Sequence, residues 1–414
     1  MGYKINFKSL DKNLYDYYEI YYNKNKYFKR YYKIVIFLLI LLIVLIYLKK
    51  DTKYFTYKYL SFYIHYINSC RNLKKNKITK TKNIIPYVSI CLPTYNMENY
   101  IEKSILSILN QSFQNFEIII VNDYSNDKTK EIVMKLQIKD NRIKLINHSQ
   151  NLGVYTSRVD GILASTGKYI ILMDPDDMLL NPKLLQKLYN YNLKYNLDII
   201  EYTVICFLEK NKNLKFINKY YHNHNYTKNI IYQPELSNIY YYYQVNDSYS
   251  KVQCRTIWNK IIRRKIVLNS ILYIGEDYYK KFFITAEDTL INLLSLHFSH
   301  NYSNINFPGY MYNIRETSMT HGKSNKKKKI LFYYNHLLYI KKLYFFFKEF
   351  NKNINYLIYE LYDIIIILFK LMKISTNFKE EIKLFFYEIF HNKYIPIKIK
   401  KDIKAFCIKN KIKK

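Results

Sequence analysis

From Tyr87 onward, short apolar runs alternate with segments whose apolar residues recur every three or four positions. Val88-Ser89-Ile90-Cys91-Leu92 reads as a strand ended by Pro93. Asn99 is placed to cap a helix with Ile101, Ile105, Ile108 and Leu109 on one face. Glu117 to Val121 is a second strand, and Asp127 is placed to cap a helix carrying Ile132, Val133 and Leu136. Ile143 to Ile146 is a third strand, followed by a helix from Tyr155 to Ala164. Gly167 precedes a fourth strand, Tyr169-Ile170-Ile171-Leu172-Met173. Asn181-Pro182 then starts a helix through Leu184, Leu185 and Leu188, and Ile199-Ile200 begins another strand. Alternation at this spacing predicts βαβ units on a mostly parallel sheet, an α/β fold. Ligands on such sheets sit beyond the carboxyl ends of the strands. Pro93-Thr94-Tyr95-Asn96, Asn122-Asp123 and Asp174-Pro175-Asp176-Asp177 are therefore expected to share one crevice.

Elsewhere the patterning differs. Ile34 to Leu48 is an uncharged apolar run closed by Lys49 and Lys50. It reads as one transmembrane anchor that suits a thin membrane, with a buried core helix as the alternative. A cleaved leader fits less well, because the segment before the run is long and no small-residue cleavage site follows. Cations on both sides leave the orientation open. Residues 49–85 are polar and without period, a stem. Residues 208–250 are rich in Asn and Tyr and read as an insert. His222 and His224 there fit a solvated loop better than a metal site. Beyond 326 helical periods return, with Leu357, Leu361, Ile364, Leu368 and Leu371 on one stripe. The resulting division is a tail at 1–33, an anchor at 34–48, a stem at 49–85, a catalytic domain at 86–325 and a helical region at 326–414.

The formal net charge is +34, which taken alone invites nucleic acid or an anionic membrane as partner. However, the excess is spread along the whole chain, and it accompanies 49 Tyr against 7 Gly and 7 Pro, a bias that fits AT-rich coding. Neither a zinc finger nor an RNA-binding signature is present, so no nucleic-acid partner is expected. The five cysteines contain no C-x-x-C pair and do not read as a disulfide framework or a zinc site.

The chemistry lies at the strand ends. Three carboxylates crowd the end of the fourth strand. They repel one another unless a cation lies between them. A hard divalent ion shared with a phosphate-bearing ligand is one solution, and a solvated acidic turn is the bland alternative. No G-x-G-x-x-G or G-x-x-x-x-G-K-[ST] follows the first strand, which disfavours dinucleotide and P-loop binding. The loop Pro93 to Tyr100 holds no glycine and no cation, so it suits stacking of Tyr95 on a base rather than a wrap around phosphates. Asp123 is placed to accept from a base N–H, or to bond its own turn. Together these positions fit a nucleoside diphosphate.

Val88-Ser89-Ile90-Cys91-Leu92-Pro93-Thr94-Tyr95-Asn96 resembles the opening motif of family 2 glycosyltransferases of the GT-A fold. Ile119 to Asp127, Asn151-Leu152-Gly153, Arg158 and Gly167 through Asp174-Pro175-Asp176-Asp177 follow in that family's order. Ile257 to Arg264 resembles its acceptor-side segment, Ala286-Glu287-Asp288 its E-D motif, and Tyr312 to Thr320 its closing segment. Asn122 and Tyr124 depart from the family, standing where Asp and Gly are usual; Tyr124 puts the turn in question if φ > 0 is needed there.

The resemblance implies an enzyme, a hexosyl- or N-acetylhexosaminyl-transferase. It would move a sugar with inversion from a nucleoside diphosphate sugar, UDP-sugar favoured, to a hydroxyl of a glycan, lipid or protein. Asp288 would be the general base. Asp176 and Asp174 would hold Mn²⁺ or Mg²⁺. Pro93, Tyr95, Asp123, Arg158, Asp174, Asp177 and Arg315 would bind the donor. Glu276-Asp277 is a rival acid pair. The apolar run Leu290 to Leu296 favours Glu287-Asp288, because it supplies a buried helix to hold the acid. A single-pass protein of the endoplasmic reticulum or Golgi follows from anchor plus family. A catalytically silent, membrane-tethered binding or scaffold protein is the competing reading.

Overall fold

The computed structural model describes residues 85–210, 213–221, 230–233, 256–279, 282–283, 286–315, 326–349 and 401. The anchor at 34–48, the stem up to residue 84, His222 and His224 lie outside the described residues. Among the described residues, no helix is long and apolar enough to cross a membrane.

The first half is built as the alternation predicts. Strand β1 (Val88–Thr94), helix α1 (Ile101–Leu109), β2 (Phe116–Asn122), α2 (Thr129–Lys139), β3 (Ile143–Asn147), α3 (Val154–Ala164) and β4 (Tyr169–Leu172) follow in turn. β5 (Met178–Leu179), α4 (Leu184–Tyr195), β6 (Ile199–Lys210), β7 (Asn213–Tyr221) and β8 (Ile231–Tyr232) come next. The second half holds β9 (Lys260–Arg263), α5 (Arg264–Ile274), α6 (Glu276–Tyr279), α7 (Glu287–Phe298), β10 (Asn301–Arg315) and α8 (Lys326–Glu349).

Among the described residues ten strands form one sheet, with the path β3-β2-β1-β4-β9-β6-β10-β5 and with β7 on β6 and β8 on β10. The sheet is mixed. β1, β2, β3 and β4 run parallel, as do β6 and β10, while β9 lies antiparallel between β4 and β6. β1, β2 and β4 are buried throughout and largely apolar, as strands covered on both faces tend to be. β3 is the exception: it lies at the edge and is only partly buried.

Pro93 does not end β1. The strand continues to Thr94, with Pro93 beside Val121. Proline is normally excluded from a central strand because it cannot donate. Here Thr94 accepts from Asp123 on the β2 side and Cys91 accepts from Met173 on the β4 side. Residues 91 and 93 therefore aim their bonding groups at β4. The pairing with β4 stops at Cys91–Leu172, so Pro93 forfeits no ladder bond. The start of the 208–250 segment forms a hairpin: β6 runs to Lys210 and returns as β7. Asn99 is not the cap of α1, whose cap position is Tyr100. Asp127 likewise stands one position before the cap of α2, Lys128, but accepts from Thr129 N at 3.0 Å while also accepting from Glu98 N.

Candidate active site

The order of β2, β1 and β4 reverses direction at β1, the position where α/β sheets open a crevice. Tyr95 stands just past β1 and is exposed. Tyr124 stands just past β2 and is exposed, with φ of 62°. The turn thus keeps the left-handed backbone that a glycine would favour, despite its tyrosine. The two loops are tied together: Asn96 N donates to Ser125 Oγ, and Asn126 N donates to Asn96 Oδ1.

Asp123 is buried, and both of its oxygens are engaged. Oδ1 accepts from Leu152 N at 2.8 Å and lies 2.7 Å from His148 Nδ1, while Oδ2 accepts from Gly153 N at 2.8 Å. Gly153 has φ of 89°, so a side chain here would strain the turn that feeds α3. Asp123 therefore organises the 148–153 turn, and one lone-pair direction on Oδ2 is left for a ligand.

Arg158, on the buried face of α3, is the hub of the acidic site. Its Nη2 donates to Asp174 Oδ1 at 2.7 Å, and its Nη1 donates to Glu287 Oε1. The D-x-D-D turn and the E-D pair, more than a hundred residues apart in sequence, thus share one guanidinium. Glu287 lies at the start of α7. Burial pushes its carboxyl up; Arg158 pulls it down and neighbouring Asp288 pushes it up, leaving it at about 7. Asp288 is half-buried and is also raised by burial, against the pull of Arg158. Its Oδ1 accepts from Thr289 N at 2.7 Å. Ala286, immediately before the pair, has φ of 64°, a strained position for a residue with a Cβ. Behind it Leu290, Ile291, Leu293, Leu294 and Leu296 are buried and anchor α7.

The remaining acids of the D-x-D-D turn are held from β10. Asp177 is buried, accepting from Tyr310 Oη at 2.7 Å and Asn313 N at 2.8 Å. Burial and then Asp176 and Asp174 hold its carboxyl well above the usual range, although both hydrogen bonds favour the charged form. Asp176 is raised to about 6, by burial first, opposed by Arg315 and reinforced by Asp174. Arg315 Nη2 lies 2.6 Å from Asp176 Oδ2, and the guanidinium lies over the Tyr100 ring at 4.8 Å. Arg315 therefore meets the D-x-D-D turn directly.

The site's donors suit a hard cation only in part. Among the described residues, no group of three or more His, Cys, Asp and Glu side chains is arranged to hold a metal ion. Asp174 and Asp176 each keep one oxygen outside their ion pairs. One or two carboxylates completed by phosphate oxygens and water are what Mg²⁺-type ions take, so the residues present fit such an ion bound together with a diphosphate.

Pro93, Tyr95, Asp123, Asp174, Asp176 and Asp177 lie at the ends of β1, β2 and β4 as expected. Arg158, Asp288 and Arg315 join them from α3, α7 and β10. His148, Tyr310 and Asn313 were not singled out in the sequence. Tyr310 and Asn313 have a faint signal, falling in or beside the closing segment. His148 has none, because its partners lie 25 and 12 positions away.

Residues 89–269 match the family model described as Glycosyl transferase family 2. An uncharacterized glycosyltransferase of Haemophilus influenzae is 40% identical over 129 residues, covering 31% of this chain and 51% of the relative. An uncharacterized glycosyltransferase of Methanocaldococcus jannaschii is 40% identical over 132 residues, covering 31% of this chain and 45% of the relative. The GalNAc(5)-diNAcBac-PP-undecaprenol beta-1,3-glucosyltransferase of Campylobacter jejuni is 38% identical over 101 residues, covering 24% of this chain and 33% of the relative. The chain thus spans about half or less of the length of these relatives. The crystal structure of S. aureus TarS 1–349 in complex with UDP-GlcNAc is similar at a TM-score of 0.45 and 19% identity, covering 68% of this chain and 81% of that one. The residues matched by the Glycosyl transferase family 2 model, 89–269, carry Asp123, Arg158 and the Asp174–Asp177 turn.

Proposed function

We propose that this protein is a glycosyltransferase that moves a sugar from a nucleoside diphosphate sugar, a UDP-sugar above others, to an acceptor hydroxyl with inversion at the anomeric carbon. The observation that carries the reading is Arg158, whose guanidinium bonds both Asp174 and Glu287. It draws the acids suited to the donor's diphosphate and the Glu287-Asp288 pair, whose second member is suited to the acceptor's proton, into one site. The curated relatives named as glycosyltransferases support the same class, and the glucosyl transfer in the name of the Campylobacter relative supports a hexose-type donor.

In this reading Tyr95 stacks on the base and Asp123 accepts from its N–H. Asp177, held by Tyr310 and Asn313, keeps the D-x-D-D turn rigid. Arg315 exchanges its bond to Asp176 for a diphosphate oxygen. Asp174 and Asp176 would hold Mn²⁺ or Mg²⁺, which when bound supplies Lewis-acid neutralisation of charge on the leaving diphosphate. Asp288 takes the proton of the acceptor hydroxyl as its oxygen attacks the anomeric carbon and the bond to the diphosphate breaks. A carboxylate pushed upward by burial is a stronger base than an exposed one, as this role requires. Single-pass membrane attachment through residues 34–48, in the endoplasmic reticulum or Golgi, and a glycan, lipid or protein acceptor complete the proposal.

Asp288→Asn is expected to lower kcat by at least about a hundredfold with donor affinity nearly unchanged, since general-base catalysis contributes roughly 10² to 10⁴. Donor-sugar transfer by the variant at near the wild-type rate would remove Asp288 from the base role.

A further inference from the structure

His148 lies just past β3, almost wholly buried, with a carboxylate at each ring nitrogen. Nδ1 is 2.7 Å from Asp123 Oδ1 at the end of β2, and Nε2 is 3.0 Å from Asp160 Oδ2 on α3. Asp160 also accepts from the Tyr279 hydroxyl of α6 at 2.9 Å. These are the titratable groups that face the ring from the elements packed on it. A neutral imidazole donates from one nitrogen only, whereas two ionised carboxylates can only accept. The pair of contacts is satisfied by the imidazolium.

The position matters because of what Asp123 does. Its Oδ1 is shared by His148 and Leu152 N, and its Oδ2 holds Gly153 N. Those two amides fix the turn entering α3, and α3 carries Arg158 to Asp174 and Glu287. We propose that His148, as the imidazolium bridging Asp123 and Asp160, is a positioning residue for the nucleotide, orienting the Asp123 carboxylate and the turn that delivers Arg158. The inference rests on the donor site described under Proposed function.

Burial works against the charged ring, but hydrogen bonds from Asp123 and Asp160 and their charges outweigh it and raise His148 to about 9. Nucleotide affinity should therefore hold through neutral pH and fall as pH rises through about 9. This window lies above the phosphate ionisation near about 6. The test is calorimetric titration of the full-length protein with UDP and with GDP, from neutral pH to about pH 10.

His148→Gln is expected to bind at least tenfold more weakly at neutral pH and to keep only the alkaline fall that ionisation of the base N–H itself imposes. Asp160→Asn leaves the Asp123 contact in place and should move the midpoint of the fall to lower pH. It serves also if His148→Gln does not fold. Wild-type affinity that is flat across the window, or a His148→Gln profile that superimposes on wild type, overturns the proposal, as does an unmoved midpoint in Asp160→Asn. Wild-type protein that binds neither nucleotide at any pH instead refutes the donor site itself.

Discussion

Replacing Arg158 by methionine keeps the bulk and flexibility of the side chain and removes its charge. Both Arg158 and Glu287 are about 5% exposed, and Asp174 joins them at 2.7 Å. Removing one partner of a buried pair costs roughly 3 to 5 kcal/mol, because the remaining charges stay in the interior unpaired. The cost should depend on pH in a definite direction. Glu287 is raised to about 7 even with Arg158 beside it. A carboxyl raised on folding favours the folded state below its unfolded pKa and loses that contribution as pH rises through the folded value. Without Arg158 the folded value climbs further. Up to about pH 7 Glu287 is protonated in both folded proteins, so the loss relative to wild type is level there and grows by up to about 1.4 kcal/mol per pH unit above it. Urea denaturation at several pH values, with Glu287→Gln and the double variant completing a cycle, measures it directly. A coupling energy of about 1 to 3 kcal/mol is expected above neutral pH. A pH-independent loss below about 0.5 kcal/mol, with no coupling, would refute the shared-guanidinium account.

Gly167→Ala places a Cβ 2.6 Å from Ser89 Oγ and 2.7 Å from Ser89 N. Since backbone cannot step aside as a side-chain tip can, thermal denaturation should show a loss of about 1 to 3 kcal/mol. A stability within about 0.5 kcal/mol of wild type would mean the close approach of β1 to this turn is relaxed. For His148, whose folded pKa is raised from 6.5 to about 9, the stabilising contribution is complete below pH 6.5 and disappears as pH climbs through about 9. It amounts to about 3 kcal/mol, and His148→Gln should abolish that slope in a stability-versus-pH series.

The first half of the fold was legible because its signals are local. β1 to β4 are apolar runs between amphipathic helices, and a sheet of that kind determines where Tyr95, Asp123 and Asp174 must meet. Pro93 misled the reading of β1's end, since proline breaks a ladder only on the side where a ladder exists. β10 was not legible as a strand. Pro308-Gly309 interrupts it, and its register to β6 shifts on both sides of Pro308, so no period of two survives along its length. β6 was legible from its start at Ile199-Ile200, but β7 hid in an Asn- and Tyr-rich stretch whose pairing, not composition, makes it a strand. At the site, the carboxylates were visible as motifs, but the way each is compensated was not. Arg158–Glu287 spans 129 positions and Asp177–Tyr310 spans 133, and no local pattern encodes a contact that the sheet order alone creates. His148 looked like one polar residue in a turn, and only the approach of β2 and α3 gives it two carboxylates.

The central claim is that the ends of β1, β2 and β4 hold a nucleoside diphosphate sugar. Thermal denaturation of the full-length protein in the presence of Mn²⁺, across the common UDP-, GDP- and CMP-sugars, tests it most directly. Ligand at a hundredfold its Kd adds about 2.7 kcal/mol to apparent stability. A rise in Tm with one nucleotide class, UDP-sugars first, that vanishes in Arg158→Met is the expected result. No rise with any nucleotide sugar, or an equal rise in wild type and Arg158→Met, would contradict the account.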